Sequence, residues 1–369
     1  MSESQNNVEG TYYGDYLQLE KLLDTQSPMS AKLGNEQHDE TLFIIVHQVY
    51  ELWFKQIIHE MHSLVEIFSE KSVDDHKLGT VVARLERINR IQQLLMGQLD
   101  VMETMTPMDF LEFRDLLVPA SGFQSAQFRE IEILMGLRTS DRKAVDREYF
   151  LGRLNTKDRE RLQEIEKRPS ILELVEKWLE RVPFTEDATF NFWDEYKKTV
   201  YSMLDQDEQT IRKNAAQMGE KYLAIQLENL ESTKENFETL LSPEEHKKLK
   251  EQGKRKLSQK AILNALFISL YRDEPILQQP YRFLKLMMDI DQSFTAWRYR
   301  HALMAQRMLG TKIGTGGSSG HQYLKNAADN NRVYLDLFNL STFLIPRSKL
   351  PQLPGVMREK LNFHFNIQN

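Results

Sequence analysis

Apolar residues recur every three to four positions along most of this 369-residue chain, which is the spacing of one face of an α-helix. Between Leu42 and Phe54 nearly every position is apolar, as in a helix that is buried on all sides. The chain shows no convincing pair of strands and no internal repeat. We therefore predict an all-α fold, whose longest helices cover about residues 40–69, 77–103, 259–271 and 280–309.

Local signals predict shorter helices between the long ones. Pro107 suits the first turn of a helix that Ser121 and Gly122 end. Ser170 is a typical cap for a helix that stops before Pro183. The apolar spacing also predicts helices over about residues 124–136, 190–240 and 321–343.

The middle of the chain is more polar than its ends. Acidic and basic residues are evenly mixed over residues 201–260, which is typical of helix faces in contact with solvent. We expect one domain over residues 1–369, a large helical bundle with a more polar helical insertion in the middle of the chain. Residues 201–260 are a candidate small helical subdomain, and residues 1–10 are expected to form a disordered tail.

The amino-acid composition narrows the chemistry that the chain can perform. It has no cysteine, which excludes disulfides, cysteine-ligated zinc, iron–sulfur clusters, thiolate-bound haem and a cysteine nucleophile. A net charge of −6 gives no reason to expect nucleic acid or an anionic membrane as a partner. The N-terminus is polar and acidic, and no apolar run approaches the ~20 residues of a membrane helix, so we expect a cytoplasmic protein.

His47 lies in the most hydrophobic predicted helix. Phe43 stands one turn before it, and Tyr50 and Phe54 stand one and two turns after it, so all four side chains share one helix face. A histidine in this position is either a core residue that hydrogen-bonds a backbone carbonyl or a group that faces a buried pocket. In the second case it would serve as an acid or base, or as a metal ligand.

Arg114 shares a predicted helical stripe with Phe110, Leu117 and Ser121. A guanidinium on an apolar face needs an anion, because an unpaired buried charge is very costly. The anion is either a structural Asp or Glu or the carboxylate of a ligand, which a planar guanidinium binds through two hydrogen bonds.

His301 has mostly apolar and aromatic helix neighbours, namely Phe294, Trp297, Met304 and Met308. An imidazole in such surroundings suits an axial haem ligand, since haem needs one strong nitrogen donor and apolar walls. A histidine beside a methionine stripe is also common in an ordinary core.

Two other motifs fail as ligand sites. The glycine-rich segment 314–320 follows a helix and lacks the lysine of a phosphate-binding loop, so nucleotide binding is rejected and a lid is expected. His59 and His62 are one residue too close for the zinc protease motif, and we interpret them as a surface pair.

Three long segments carry distinctive series of residues. They are HDETLFIIVHQVYELWFKQI from His38, ETMTPMDFLEFRDLLVPASGFQSAQFR from Glu103 and MDIDQSFTAWRYRHALMAQRMLGTKIGTGGSSGHQYL from Met288. Together with YGDYLQLEKLL from Tyr13 and DLFNLSTFLIPR from Asp336, these segments resemble the tryptophan 2,3-dioxygenase family. The resemblance covers most of the chain in the same order and weakens between about residues 138 and 260.

The resemblance implies a fold and a reaction. The fold is an all-α homotetramer with one haem b per subunit, held in a pocket that the helical bundle encloses. The reaction adds both atoms of O2 across the indole C2–C3 bond of L-tryptophan. Its product is N-formyl-L-kynurenine, and this is the first step of tryptophan catabolism by the kynurenine pathway.

The resemblance also implies roles for individual residues. His301 resembles the proximal haem ligand, with Trp297 beside it, and His47 resembles the distal histidine near the indole N–H. Arg114 is expected to bind the substrate carboxylate. The other expected substrate contacts are Phe43, Phe110, Leu117, Ser121, the lid residue Thr315, and Tyr13 and Tyr16 from a neighbouring subunit.

Some positions depart from the family pattern, and two other functions stay open. Arg300 stands where animal members have asparagine, and His321 follows the glycine loop where aromatic residues are common. The alternatives are a non-catalytic haem or tryptophan sensor on the same fold and a purely structural helical assembly. The joint presence of Arg114, His47, His301 and Thr315 argues against the sensor.

Overall fold

The computed structural model describes residues 10–138, 152–183, 190–310, 312 and 320–361. These ranges contain helices and no β-strand, so the all-α prediction is confirmed for them. Helices α1 to α9 are Tyr13–Leu17, Leu19–Leu23, Met29–Lys32, His38–Phe68, Asp75–Met102, Pro107–Arg114, Ala126–Met135, Thr156–Glu166 and Ile171–Leu179. Helices α10 to α18 are Phe192–Lys213, Ala215–Met218, Glu220–Leu241, Pro243–Glu251, Gln259–Leu270, Pro275–Leu309, Gly320–Asn330, Leu335–Phe338 and Gly355–Leu361.

Three long helices, α4, α5 and α15, form the centre of the molecule. Helix α5 packs against both α4 and α15, while α7 packs on α4 and α16 packs on α15. Ile57, Ile88 and Phe283 have no exposed surface. Burying one such side chain contributes about 1.5–3 kcal/mol, so the packed faces of these helices stabilise the fold.

One face of α4 departs from the prediction. Ile45 and Leu52, two turns apart on that helix, are 42% and 49% exposed. The expectation of a helix buried on all sides is therefore wrong for this face. Most of the other apolar positions of α4 pack into the core or line the cavity described below.

Side-chain caps define where two of the shorter helices begin. Thr106 accepts a hydrogen bond from the backbone N–H of Asp109, whose carboxylate bonds back to the backbone N–H of Thr106. Ser170 and Glu173 form the same reciprocal cap at α9. These caps satisfy N–H groups that have no partner inside the helix, and both predicted starts are confirmed.

Two predicted helices are shorter than expected. Helix α6 ends at Arg114, so Leu117 lies in a 3-10 turn and Ser121 in a loop, and the single stripe through all of them is wrong. The helix predicted over 321–343 ends at Asn330, and short helical turns follow it. The predicted tail 1–10 lies outside the described residues except for its last position.

The polar middle of the chain forms an antiparallel helical hairpin and not the single predicted helix. Helices α10 and α12 pack side by side, and Glu208 of one pairs with Lys234 of the other at 2.7 Å. Gly219 has a φ of 74°, which suits a residue without a side chain at the break before α12. The described helices include none that is long and apolar enough to cross a membrane.

Candidate active site

A cavity of about 320 Å³ lies between α4, α5, α6, α7, α15 and α16. Its volume falls within the range of roughly 300–1,000 Å³ that is typical of small-molecule sites. Most of its wall is apolar. The apolar members include Phe43, Val46, Phe54, Leu99, Met102, Met105, Phe110, Phe128, Trp297, Met304, Met308 and Leu309.

His47 contributes to the cavity wall from α4. Its Nδ1 lies 2.7 Å from the carbonyl oxygen of Phe43, one turn earlier, and donates a hydrogen bond to it. Burial lowers the pKa of His47 from its ordinary value of 6.5, against the opposing effects of that carbonyl and of Glu51. The ring is therefore neutral at pH 7, and the tautomer assigned from this bond leaves Nε2 as a hydrogen-bond acceptor.

His301 reaches the same cavity from α15. Its Nδ1 is buried and has no hydrogen-bond partner in the described part of the chain. The imidazole stacks on the ring of Trp297, with 5.1 Å between the ring centroids and 13° between the planes. Burial, and secondly the repulsion that a protonated His47 would exert, lowers the pKa of His301 to about 4, so its nitrogens can act as neutral donors to a metal.

Helix α6 contributes aromatic rings and a cation. Phe110 stacks on Phe43 with 5.7 Å between the ring centroids, and the fully buried Phe113 closes the space behind both. Arg114, in the last turn of α6, belongs to the cavity wall, as does Ser121 in the following loop. Leu117 packs against the hydrophobic core beside the cavity and is not part of its wall.

A buried cluster of charged residues was missed by the sequence reasoning. Arg129, Glu132 and Arg298 are 7%, 2% and 5% exposed, and all three line the cavity. Glu132 accepts a hydrogen bond from Arg129 at 2.6 Å and another from Arg298 at 2.8 Å. The signal was available in α7, where charged residues alternate with apolar ones in a helix that has no polar face.

The remaining predicted residues lie elsewhere. Tyr13 and Tyr16 are 71% and 76% exposed on α1 and do not line the cavity of their own chain. Thr315 lies outside the described residues, and so does the side chain of His321. Arg300 forms ion pairs with Asp100 of α5 and with Glu103, which follows that helix, and it is not a cavity residue.

Neither histidine of the incomplete zinc motif, His59 or His62, lines the cavity. His62 lies 3.3 Å from the buried carboxylate of Glu130, and His59 is exposed. Across the described ranges, no group of three or more His, Asp or Glu side chains is arranged to hold a metal ion.

Comparisons with known proteins agree with these observations. A model of the family described as "Tryptophan 2,3-dioxygenase" matches residues 1–344. Proteins named "Tryptophan 2,3-dioxygenase" from Alteromonas mediterranea and Bdellovibrio bacteriovorus are each 49% identical to this chain, over 98% and 96% of its length and 99% and 98% of their own. One from Dictyostelium discoideum is 45% identical over 99% of this chain and 91% of its own length. Similarity of this extent, over nearly the whole of each protein, means that the chain belongs to the tryptophan 2,3-dioxygenase family.

Proposed function

We propose that this enzyme binds haem b and L-tryptophan in the cavity and adds both atoms of O2 across the indole C2–C3 bond. The product is N-formyl-L-kynurenine, the entry compound of the kynurenine pathway. The observation that carries the proposal is the pairing of two neutral histidines from different helices, His47 and His301, on one largely apolar cavity.

The residues of the cavity fit a haem. The neutral imidazole of His301 in the cavity wall can supply, through Nε2, the nitrogen donor that haem iron needs. The flat face of Trp297 and the methionines Met304 and Met308 provide the apolar surroundings that haem requires. The buried guanidinium groups of Arg129 and Arg298 are cations in the cavity wall, and they suit the carboxylates of haem b. When bound through His301, the haem iron supplies the binding and activation of O2.

His47 is suited to orient the indole ring. As a neutral imidazole with Nε2 as acceptor, it can hold the indole N–H by a hydrogen bond without removing its proton. Phe43 and Phe110, which stack on each other, form an apolar wall that excludes water and favours a flat aromatic substrate. We assign His47 an orienting role and not that of an obligatory base.

Arg114 is suited to bind the carboxylate of the amino acid. A planar guanidinium binds a carboxylate through two hydrogen bonds, which gives geometric specificity as well as free energy. Ser121, also in the cavity wall, is assigned a contact with the same end of the substrate. Leu117 is assigned a supporting contact behind this wall.

A neighbouring subunit and the lid complete the proposed site. The exposed rings of Tyr13 and Tyr16 are available to a second copy of the chain, and the proposed assembly is a homotetramer with one haem per subunit. Thr315, in the glycine-rich segment between α15 and α16 and outside the described residues, is assigned the lid contact with the amino-acid end of the substrate.

The test is a single-turnover experiment with haem-loaded protein. The protein is loaded with haem, reduced without oxygen and mixed with L-tryptophan and O2, and N-formyl-L-kynurenine is followed by its ultraviolet absorbance. We expect the product to form in proportion to the loaded haem. Fully loaded ferrous protein that forms no product would contradict the proposal and favour a sensor, while failure to take up haem would favour a structural assembly.

A further inference from the structure

Tyr50 is a cavity residue to which the proposed reaction assigns no role. It lies on α4 one turn after His47 and is only 8% exposed. Its hydroxyl donates a hydrogen bond to the carbonyl oxygen of Leu95 at 2.5 Å and accepts one from Nε1 of Trp297 at 3.2 Å. These two bonds connect α4, α5 and α15 at a single atom.

Trp297 transmits this connection to His301. The indole of Trp297 lies nearly parallel to the imidazole of His301, and the rings of Tyr50 and Phe128 pack against it with centroid distances of 5.9 and 5.4 Å. The orientation of Trp297 is therefore set by one hydrogen bond and two ring contacts.

The ring of His301 lacks the usual means of orientation. A histidine that binds a metal normally donates its second ring nitrogen to a carbonyl or carboxylate, and this bond fixes the rotation of the ring. The Nδ1 of His301 is buried without such a partner in the described ranges. The stacked face of Trp297 is then the contact that limits rotation of the imidazole about its bond to Cβ.

We propose that Tyr50 is a positioning residue, which fixes the rotation of the His301 imidazole by holding Trp297 in place. The inference rests on the proposed function, in which His301 would hold the haem iron. The orientation and surroundings of the residue that binds the iron are means by which a protein adjusts the reduction potential of a haem. Tyr50 thus connects α4, which carries His47, to His301 on α15.

The test removes only the hydroxyl, in Tyr50→Phe, and compares it with a matched control. Tyr271 is also 8% exposed and donates to a backbone carbonyl, that of Pro351, at 2.6 Å, but it does not line the cavity. Both variants and the wild type are loaded with haem and reduced, and the iron–histidine stretching band is recorded by resonance Raman spectroscopy. We expect the band to shift and broaden in Tyr50→Phe and to stay unchanged in Tyr271→Phe.

A second variant identifies the route through Trp297. Trp297→Phe keeps an aromatic ring against His301 but removes the Nε1 donor, so Tyr50→Phe should cause no further shift in that background. An unchanged band in Tyr50→Phe, or an equal shift by Tyr50→Phe in both backgrounds, would overturn the inference. If Tyr50→Phe does not fold, an unchanged band in Trp297→Phe would overturn it as well, and a shifted band would support it. Failure of the wild type to bind haem would instead contradict the proposed function, so the two failures are distinguishable.

Discussion

In the hairpin of α10 and α12, charged side chains pair where they keep contact with solvent, as Glu208 does with Lys234. Around the cavity, Arg129, Glu132 and Arg298 pair with almost no solvent contact. A solvent-exposed ion pair forms at little cost and contributes little to the stability of the fold. A buried ion pair loses much of its Coulomb energy to desolvation, so a gain in stability does not by itself explain why charged residues lie beside the cavity.

The two regions also differ in how completely their apolar side chains are packed. Along α10, Phe192, Tyr196 and Val200 follow one another at a spacing of four residues and form a simple buried face. At the cavity, the rings of Phe43 and Trp297 border open space, and within the described ranges the buried Nδ1 of His301 has no hydrogen-bond partner. The hairpin follows the rules of stable packing, while the cavity leaves apolar surface that a bound ligand would cover.

The largest expected effect is the loss of haem binding in His301→Ala. The variant removes the single nitrogen donor proposed to hold the haem, so the intense Soret band should be lost after reconstitution and desalting. His62→Ala, which alters a partly exposed histidine of α4 outside the cavity, is the control and should keep full haem content. Normal haem occupancy in His301→Ala would remove the ligand assignment.

Glu132→Gln and Glu208→Gln compare the two kinds of charge directly. Removing the carboxylate of Glu132 leaves two buried arginines without their shared anion, which should lower the free energy of unfolding by about 3–5 kcal/mol. Glu208→Gln should change it far less, because its partners remain solvated. Urea denaturation of the haem-free proteins measures both values. Equal losses would show that the cavity cluster is solvated like the hairpin pair.

Arg114→Ala should weaken binding of the amino-acid end of the substrate. Hydrogen bonds to charged groups contribute about 1.5–3 kcal/mol, so we expect KM for L-tryptophan to rise about 10- to 100-fold. An indole analogue without a carboxylate should be oxidised by the variant no worse than by the wild type. If the oxidation of both substrates is impaired equally, the arginine has a structural role like that of the charged residues in the hairpin.

The smallest expected effect is that of mild acid on turnover. The pKa of His47 is lowered from its ordinary value of 6.5 because burial disfavours its charged form. The Nε2 acceptor for the indole N–H should therefore be lost at a lower pH than in an unperturbed histidine, so the acid-side fall of kcat/KM should be centred below 6.5. A fall that is centred at or above pH 6.5 would contradict the lowered pKa.

The helices and their caps were predictable from sequence because both are local properties. The apolar spacing that gives α4, α5 and α15 repeats within one turn, and the cap at Thr106 needs a partner only three residues away. The same locality explains the failure over 190–240, where one amphipathic pattern continues across the break at Gly219. Nothing within one turn indicates that the chain folds back.

The contacts that build the site were not predictable from spacing. Glu132 and Arg298 are 166 positions apart, and Tyr50 and Trp297 are 247 positions apart. Helical periodicity can place each residue on an apolar face, but it cannot say which two faces meet. The pairing of His47 with His301 was expected only through resemblance to a family, since no local signal connects them.

The most direct test of the central claim is oxidation of L-tryptophan in ¹⁸O2. Haem-loaded, reduced enzyme is mixed with the labelled gas and the substrate, and the product is analysed by mass spectrometry before oxygen can exchange with water. We predict N-formyl-L-kynurenine in which the formyl oxygen and the ketone oxygen are both labelled in each turnover. A product that carries a single labelled atom, with the other derived from water, would contradict the claim that this cavity is the site of a dioxygenase.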